Sequence, residues 1–259
     1  MPPALPSGAP AGIRSDASTG PAIVRTRGDR RSLEFRPGMV QSEMRLSQPY
    51  RLVLAYARAM MCFALFQPRP EHIIMVGLGG GSLVKFCHRY LPHSRITVLE
   101  LRADVIALRE QFAIPPDDAR LRIIHADAAH YLAGLRSCAD VLLVDGFDTE
   151  GMPAALGSAR FYADCRRTLR PGGVLVANLF SYDPHYRAML HRLRLTFQNR
   201  ICWFHGIAGN NRILFAVKGG APSPALAMLG RVTRWEGLWL APLNRLLARW
   251  VVARVQRGA

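Results

Sequence analysis

Three acidic side chains, Glu100, Asp127 and Asp145, each lie at or just after the end of an apolar run that is typical of a buried β-strand. A ligand lies outside the carboxyl ends of the strands in a parallel sheet, so these positions are the first candidates for chemistry. An ionised carboxylate accepts hydrogen bonds and donates none. Glu100 could therefore bind two ribose hydroxyls, and Asp127 with Ala128 could meet the amine and ring edge of an adenine. The alternative for each carboxylate is an exposed loop charge.

A second acidic residue, Asp148, follows Asp145 by three positions in the sequence Asp145-Gly-Phe-Asp148. Two carboxylates at this spacing after a strand can point into the same cleft. They could hold a cationic amine, or take its proton so that the nitrogen lone pair becomes nucleophilic. Glycine and aspartate are also ordinary turn residues, so a purely structural turn is the alternative.

A glycine-rich segment precedes these carboxylates, at Gly77, Gly79, Gly80 and Gly81. It follows an apolar run and leads into a helical pattern, as in turns that place the N-terminus of a helix against a nucleotide-like ligand. Glycine allows positive φ values and a close approach of the backbone to the ligand. Glu100 follows about 20 residues later, where such folds place the carboxylate that binds a ribose.

The elements that must position these residues alternate between strand and helix. This alternation, with a Pro171-Gly-Gly173 turn before the fifth strand, predicts an α/β fold with a doubly wound, mostly parallel Rossmann-like sheet and helices on both faces. Strands are predicted at residues 73–76, 96–99, 121–124, 141–144, 174–179, 201–204 and 213–217, and helices at 49–66, 82–90, 103–112, 128–135, 159–169 and 185–197.

The two ends of the chain differ from this central domain, which is expected to span residues 49–219. Residues 1–21 are rich in Pro, Ala, Gly and Ser and are expected to be disordered. Residues 22–48 are expected to form a short β-hairpin, the remnant of an N-terminal domain. Residues 220–259 are expected to form an Arg/Trp-rich helical tail, for which packing on its own domain is favoured over a partner subunit or a membrane surface.

The charge of the chain is strongly positive, with 34 Lys and Arg against 18 Asp and Glu and a formal net charge of +16. Such an excess can bind phosphate backbones. Only Lys85 and Lys218 are lysines, however, and the arginine excess accompanies a chain rich in Ala, Gly and Pro. A coding bias explains this better than a basic patch, so contact of the tail with nucleic acid is disfavoured.

The five cysteines are scattered singly, at positions 62, 87, 138, 165 and 202. They form no Cys-x-x-Cys pair and no Cys/His cluster, so they are interpreted as buried thiols and no metal is expected. No apolar run approaches the ~20 residues of a membrane span, and the N-terminus does not resemble a signal peptide. A cytoplasmic location is therefore expected.

In their order along the chain, these motifs resemble the spermidine synthase family, the polyamine aminopropyltransferases. The resemblance covers residues from about 22 to about 179. The motifs that carry it are Arg31-Ser-Leu-Glu-Phe35, Val40-Gln41-Ser42, the helix with Tyr56 and Met60, the loop 77–83, Val98-Leu-Glu100, Ala126-Asp127-Ala128, Val144-Asp145-Gly-Phe-Asp148, Phe161-Tyr162 and Leu169-Arg-Pro-Gly-Gly173.

The resemblance implies a fold of the class I S-adenosylmethionine-dependent methyltransferase type and a role for each matching residue. Gln41, Glu100, Asp127 and Ala128 would contact the nucleoside of the donor, together with the glycine loop. Asp145 would be the acid-base residue, and Asp148 would help to bind the amine. The co-substrate would be decarboxylated S-adenosylmethionine, and the partner a small-molecule amine acceptor. A homodimer is left open.

The sequence departs from the family pattern on the acceptor side. The family carries an aspartate in its glycine loop, which is matched here to Gly79, and Thr149 replaces a proline after Asp148. No counterpart is assigned to the family's Tyr-His pair, since Tyr50 and Tyr56 are judged nearby but not equivalent. Putrescine is therefore a doubtful acceptor.

Three functions follow from these observations. The first is aminopropyl transfer from decarboxylated S-adenosylmethionine to an amine, which the two aspartates favour. The second is methyl transfer from S-adenosylmethionine on the same scaffold, because a pocket without the loop aspartate could admit a donor that keeps its carboxylate. The third is a catalytically silent nucleoside-binding module whose arginine-rich tail meets an acidic surface.

Overall fold

A computed structural model describes residues 20–146, 151–208, 210–219 and 241–258 of the 259-residue chain. Asp148, one of the two aspartates expected to act on the amine, lies outside these residues. The segments 1–19 and 220–240 also lie outside them, so the expectation of a disordered N-terminus stays a prediction. None of the described helices is long and apolar enough to cross a membrane.

The N-terminal part of the described chain is a three-stranded antiparallel sheet with the order β1-β2-β3, formed by Ile23–Arg27, Arg30–Arg36 and Met39–Arg45. The hairpin expected for residues 22–48 has two strands, with Pro37 and Gly38 after the second. These residues instead form the turn into β3, where Gly38 takes a φ of +84°. Ser42 and Met44 are buried on one face of this third strand. A strand with one buried face needs only a short apolar pattern, which is why it was missed.

The central sheet has seven strands in the order β6-β5-β4-β7-β8-β10-β9. The neighbours from β6 to β8 pair in parallel, while β10 pairs antiparallel with both β8 and β9. The predicted doubly wound, mostly parallel sheet is therefore confirmed. The strands are β4 His72–Val76, β5 Arg95–Glu100, β6 Leu121–His125, β7 Ala139–Val144, β8 Leu169–Phe180, β9 Ile201–Ala208 and β10 Asn211–Val217.

Helices cover both faces of the central sheet. They are α1 Ala55–Met60, which continues as a 3₁₀ helix over Met61–Leu65, then α2 Ser82–Tyr90, α3 Ala103–Ala107, α4 Ala128–Ala133, α5 Ala159–Thr168, α6 Tyr186–Thr196 and α7 Ala241–Arg257. The helix predicted at 49–66 is thus shorter and changes type at Met61. The helix predicted at 103–112 ends at Ala107, and a series of turns follows up to Ala113, whose φ is +52°.

The core consists of two apolar clusters, one on each face of the sheet. One cluster joins the N-terminal sheet, α1, the 3₁₀ helix, α2 and α7 to the odd-numbered β7 residues Val141 and Leu143. The other joins α4, α5 and α6 to Leu142 and Val144. Side chains along β7 point alternately to the two faces of the sheet. Asp145 is the next odd-numbered residue, so its side chain is expected on the face that α1 covers.

The C-terminal helix α7 packs on its own domain, against α1, the 3₁₀ helix and β9. Ala248 and Val251 are buried in this contact. Leu243, Leu246 and Trp250 of the same helix are exposed. The helix thus carries two apolar stripes, and only one of them meets the domain.

A buried histidine, His72, begins β4 at the edge of the sheet opposite the strand-end carboxylates. Its Nδ1 lies 2.8 Å from the carbonyl oxygen of Cys138, to which it donates, and its Nε2 lies 2.9 Å from Thr97 Oγ1, from which it accepts. Burial lowers the pKa of His72 from its usual 6.5. The neutral imidazole is therefore the form that stabilises this edge of the fold.

We expect this histidine to make the fold less stable in mild acid. Because its folded-state pKa is depressed, its stabilising contribution is complete above pH 6.5 and is lost as the pH falls from 6.5 towards the folded-state pKa. His72→Gln should reduce the free energy of unfolding at pH 8 by about 1 kcal/mol and flatten its decrease between pH 6.5 and 5. Urea unfolding at several pH values measures both. The exposed His93→Gln should change neither, and an unchanged pH slope in His72→Gln would contradict the assignment.

Candidate active site

The turn between β4 and α2 brings the backbone of the glycine loop against the end of β7. Gly77 has a φ of +94°, and a Cβ built on it would lie 2.4 Å from the carbonyl oxygen of Asp145. The N–H of Gly77 donates to the carbonyl oxygen of Leu99 at 2.9 Å, and the N–H of Asp145 donates to that of Val76 at 2.9 Å. Only glycine fits this position, both by conformation and by space.

The rest of the loop leads into α2 and packs on the segment after α3. Gly81 is the N-cap of α2 with a φ of +64°, and its Cα lies so close to Ile114 that a Cβ would approach Ile114 Cγ1 to 2.4 Å. A Cβ on Gly80 would lie 2.7 Å from Ser42 Oγ and 2.9 Å from Phe112. Gly79 has space around it, with Ser42 Cβ at 3.8 Å, but its φ is +51°. The loop is thus enclosed at Gly80 and Gly81 and open at Gly79.

A buried lysine holds the wall of this loop in place. Lys85 of α2 donates to the carbonyl oxygen of Phe112 at 2.6 Å and lies 2.9 Å from Met44 Sδ of β3. It is 1% exposed, and burial lowers its pKa to about 8. Lys85 therefore connects the N-terminal sheet to the residues that pack on the glycines.

Glu100 ends β5 and binds the glycine loop through its side chain. Its Oε2 accepts the backbone N–H of Leu78 at 2.7 Å, and its Oε1 accepts that of Arg102 at 2.9 Å. Burial raises the pKa of Glu100, and the N–H groups of Arg102 and Leu78 act in the opposite direction. Each oxygen has a second lone pair, so the carboxylate can still accept from a ligand hydroxyl.

Asp127 follows β6 and begins α4. Its Oδ1 accepts the backbone N–H of Ala129 at 2.8 Å, so the side chain is the N-cap of the helix. The residue is otherwise exposed, while Ala128 beside it is buried. Ala126 donates its N–H to the carbonyl oxygen of Glu100 at 2.9 Å, which keeps the ends of β5 and β6 adjacent.

Asp145 lies at the centre of the arrangement, directly after β7. Asn178 of β8 donates its Nδ2–H to Asp145 Oδ1 at 2.9 Å. Burial raises the pKa of Asp145, while the hydrogen bonds from Asn178 and from Tyr56 act against this increase. A carboxylate in this setting is more basic than one in water, which suits a proton acceptor.

Tyr56 is a site residue that the sequence analysis did not assign. It lies in α1, and its hydroxyl oxygen lies 3.4 Å from the backbone carbonyl oxygen of Gln41 and also faces the Asp145 carboxylate, so its one proton has two acceptors nearby. Burial, and then the charge of Asp145, raise the pKa of Tyr56 well above 10. The phenol therefore stays protonated and faces the Asp145 carboxylate, and it brings Gln41 of β3 next to the same place.

Asn178 and Asn211 were also missed. Asn211 begins β10 and donates its Nδ2–H to Asn178 Oδ1 at 2.9 Å, so the two amides form a chain that ends on Asp145. Neither residue carries a motif, because an asparagine within a strand is indistinguishable in sequence from a polar edge residue. The signal for Tyr56 was equally weak, since its spacing fits an ordinary packed helix.

A groove of about 330 Å³ lies away from these residues, between α4 and α5. Its lining includes His130, Ser158 and Asp164, and none of the three strand-end carboxylates. Asp164 is already paired with Arg167. The candidate site residues at the strand ends therefore do not line this groove. Among the described residues there is also no cluster of His, Cys, Asp and Glu that could hold a metal ion.

The fold and site define a class of protein. A fold of the class I methyltransferase type has a glycine loop between the first strand of its sheet and the following helix, acidic residues after the next strands and an antiparallel strand near one edge of the sheet. This chain has all three features.

The family follows from comparison with known proteins. The family model described as "Spermine/spermidine synthase domain" matches residues 53–193. A polyamine aminopropyltransferase of Chromobacterium violaceum is 37% identical over 212 residues, which cover 82% of this chain and 78% of that relative. The chain therefore belongs to the spermine/spermidine synthase family, and the protein is a transferase.

Solved structures agree on the fold. A probable spermidine synthase from Corynebacterium glutamicum aligns with a TM-score of 0.67 at 20% identity, over 86% of this chain and 90% of that chain. A spermidine synthase in complex with the transition-state analogue AdoDATO aligns with a TM-score of 0.60 at 17% identity, over 92% of this chain and 89% of that chain. These likenesses support the same α/β architecture.

The close approach at Gly77 yields a prediction for donor binding. Gly77→Ala should destabilise the protein by several kcal/mol or abolish donor binding, because the methyl group would collide with the Asp145 carbonyl. Gly28→Ala is the matched control, since Gly28 has a φ of +55° but nothing within 4 Å of a built Cβ. It should cost about 1 kcal/mol and leave donor affinity unchanged. Thermal unfolding and calorimetric titration measure both, and equal effects of the two variants would contradict the steric argument.

Proposed function

We propose that this protein transfers an aminopropyl group from decarboxylated S-adenosylmethionine to a small amine, with Asp145 as the proton acceptor. The observation that supports this most is the position of Asp145. Its backbone packs against the glycine loop, burial raises the pKa of its carboxyl group, and the neutral side chains of Asn178 and Tyr56 bind that group.

The chemistry needs a neutral amine. A protonated amine has no lone pair, so Asp145 would take one proton from the bound ammonium. The nitrogen would then attack the aminopropyl carbon beside the sulfonium sulfur. The new C–N bond forms as the C–S bond breaks, its electron pair stays on sulfur, and 5′-methylthioadenosine leaves. The main contribution of the protein is to hold the two substrates for in-line attack.

The donor side would be formed by the strand ends. Gly77, Gly79, Gly80 and Gly81 would allow the donor to approach the backbone, and Glu100 would accept from the ribose hydroxyls with its remaining lone pairs. Asp127 and Ala128 would meet the adenine, as the exposed carboxylate and the buried methyl group allow. Gln41 would contact the nucleoside from β3, next to Tyr56.

Two positions of the sequence, Asp148 and Gly79, bear on the acceptor side. Asp148 remains the predicted second carboxylate for the amine. At Gly79, to which the family's loop aspartate was matched, a side chain has space, but the φ of +51° disfavours it. An acceptor would therefore gain no charge partner from this loop position, and a diamine such as putrescine would lose part of its binding energy.

Donor preference is the first test. We expect calorimetric titration to show binding of decarboxylated S-adenosylmethionine at least tenfold tighter than that of S-adenosylmethionine, because a donor carboxylate would approach the Asp145 carboxylate. Incubation with an amine panel should then release 5′-methylthioadenosine. A preference for the intact donor, with S-adenosylhomocysteine as the product, would favour methyl transfer and contradict the proposal.

Removal of the base tests the role of Asp145. Asp145→Asn keeps the shape but cannot take a proton, so kcat should fall by about 10²–10⁴-fold while donor affinity changes little. Glu110→Gln, an exposed carboxylate on another part of the fold, is the control and should retain full activity. If Asp145→Asn kept more than a tenth of the wild-type kcat, another group would have to be the base.

A further inference from the structure

The side-chain amides of Asn178 and Asn211 form a hydrogen-bonded pair behind the Asp145 carboxylate. The effect of this pair on catalysis rests on the proposed function. Asn178 is 2% exposed, and both polar atoms of its side chain are used. Its Nδ2 donates to Asp145 Oδ1 at 2.9 Å, and its Oδ1 accepts from Asn211 Nδ2 at 2.9 Å. An amide side chain has two orientations of nearly identical shape, so something must select between them.

The donors and acceptors around Asn178 decide which of its two amide orientations is favoured. With the observed orientation, Asn178 makes two hydrogen bonds. After a flip of the amide, its carbonyl oxygen would face the Asp145 carboxylate and its NH₂ group would face the NH₂ group of Asn211. Both contacts would be repulsive when Asp145 is ionised. Asn211 therefore stabilises the observed orientation of the Asn178 amide by donating an N–H to its oxygen. Asp145 cannot do this, because an ionised carboxylate only accepts.

The pairing of β10 with β8 places Asn211 close to Asn178. Asn211 is the first residue of β10 and pairs with Phe180, two residues beyond Asn178 on β8. The pairing of β10 with β9 shifts register between Asn211 and Ile213. Such irregularities redirect a side chain at the end of a strand. Here the Asn211 side chain reaches diagonally from β10 to Asn178 on the neighbouring strand β8.

We propose that Asn211 is a positioning residue for the transfer reaction: by donating to Asn178 Oδ1, it fixes the orientation in which Asn178 presents its N–H to the Asp145 carboxylate. Asn211 does not touch the carboxylate. It acts only through Asn178.

The surroundings of Asp145 show what else could affect its titration. The Tyr56 hydroxyl of α1 faces the carboxylate, and Tyr56 is the titratable group that acts on it among the described residues. From β4, the neighbour is the backbone at Gly77, which carries no charge. From β8, the contact is the Asn178 amide. Loss of its N–H bond should therefore make the ionised carboxylate less favourable and move its titration upward.

The test uses Asn211→Leu, which has a similar shape but no donor and no charge. We expect the ¹³C titration of the Asp145 carboxyl carbon, assigned by comparison with Asp145→Asn, to move up by about one pH unit. The acidic limb of kcat/KM should move by the same amount, and donor affinity should be unchanged. Asn210→Ala is the matched control, because Asn210 is adjacent and exposed.

A double-mutant cycle separates orientation from general packing. If Asn211 acts through Asn178, Asn211→Leu should have no further effect in an Asn178→Leu background. A shift below 0.2 pH units in Asn211→Leu, or an equal shift in both backgrounds, would overturn the proposal. If Asn178→Leu does not fold, the ¹⁵N shift of the Asn178 amide replaces it: it should follow the Asp145 titration in wild type, and lose this dependence in Asn211→Leu.

Different measurements would contradict aminopropyl transfer and the positioning role of Asn211. The carboxyl titration needs no turnover, so it tests the role of Asn211 even in a protein that transfers no aminopropyl group. Absence of 5′-methylthioadenosine with every amine would contradict the proposed function alone. Turnover with an unmoved carboxyl titration in Asn211→Leu would contradict the positioning role alone.

Discussion

The contact between Gly77 and the peptide of Asp145 is the constraint on which the site depends. The ends of three neighbouring strands meet there: Gly77 donates to Leu99 of β5, and Asp145 donates to Val76 of β4. Since a Cβ at position 77 would lie 2.4 Å from the Asp145 carbonyl oxygen, the close approach exists only because the residue is glycine. The loop that would receive the donor and the carboxylate that would receive the proton are thus held together by backbone contacts, before any side chain acts. A donor bound along this loop would lie beside the proton acceptor without further movement.

Burial then gives the two enclosed carboxylates different properties. It raises the pKa of both Glu100 and Asp145. In Glu100, two charge-assisted bonds from backbone N–H groups act against this increase without cancelling it, and the chain fixes both of them in place. Asp145 has only an amide and a phenol, both neutral side chains that can be replaced or reoriented. Glu100 is therefore suited to permanent binding, whereas Asp145 is suited to gaining and losing a proton.

The sequence predicted the sheet, the glycine loop and its carboxylates because each leaves a local signal. An apolar run marks a buried strand, a cluster of glycines marks the turn, and the acidic residue after the strand marks the edge where ligands bind. Tyr56, Asn178 and Asn211 leave no such signal, since their role arises from contacts between residues that are far apart in sequence. Tyr56 and Asp145 meet because α1 packs over one face of the sheet, and Asn211 meets Asn178 through the register of β10 on β8. The third N-terminal strand was missed for a different reason, because its buried face includes the polar Ser42.

The net positive charge of the protein opposes binding of the cationic substrates that the site suits. Screening of distant surface charges by salt reduces this repulsion. A net charge of +16 repels an amine cation, as well as a cationic sulfonium donor. At physiological ionic strength the Debye length is about 8 Å, so exposed arginines farther away than this are largely screened from a ligand held at the strand ends. A carboxylate in contact with a bound cation is screened much less, and burial strengthens its field further. Glu100 and Asp145 would therefore dominate the potential at a cation bound beside them, and such a site can coexist with an arginine-rich surface.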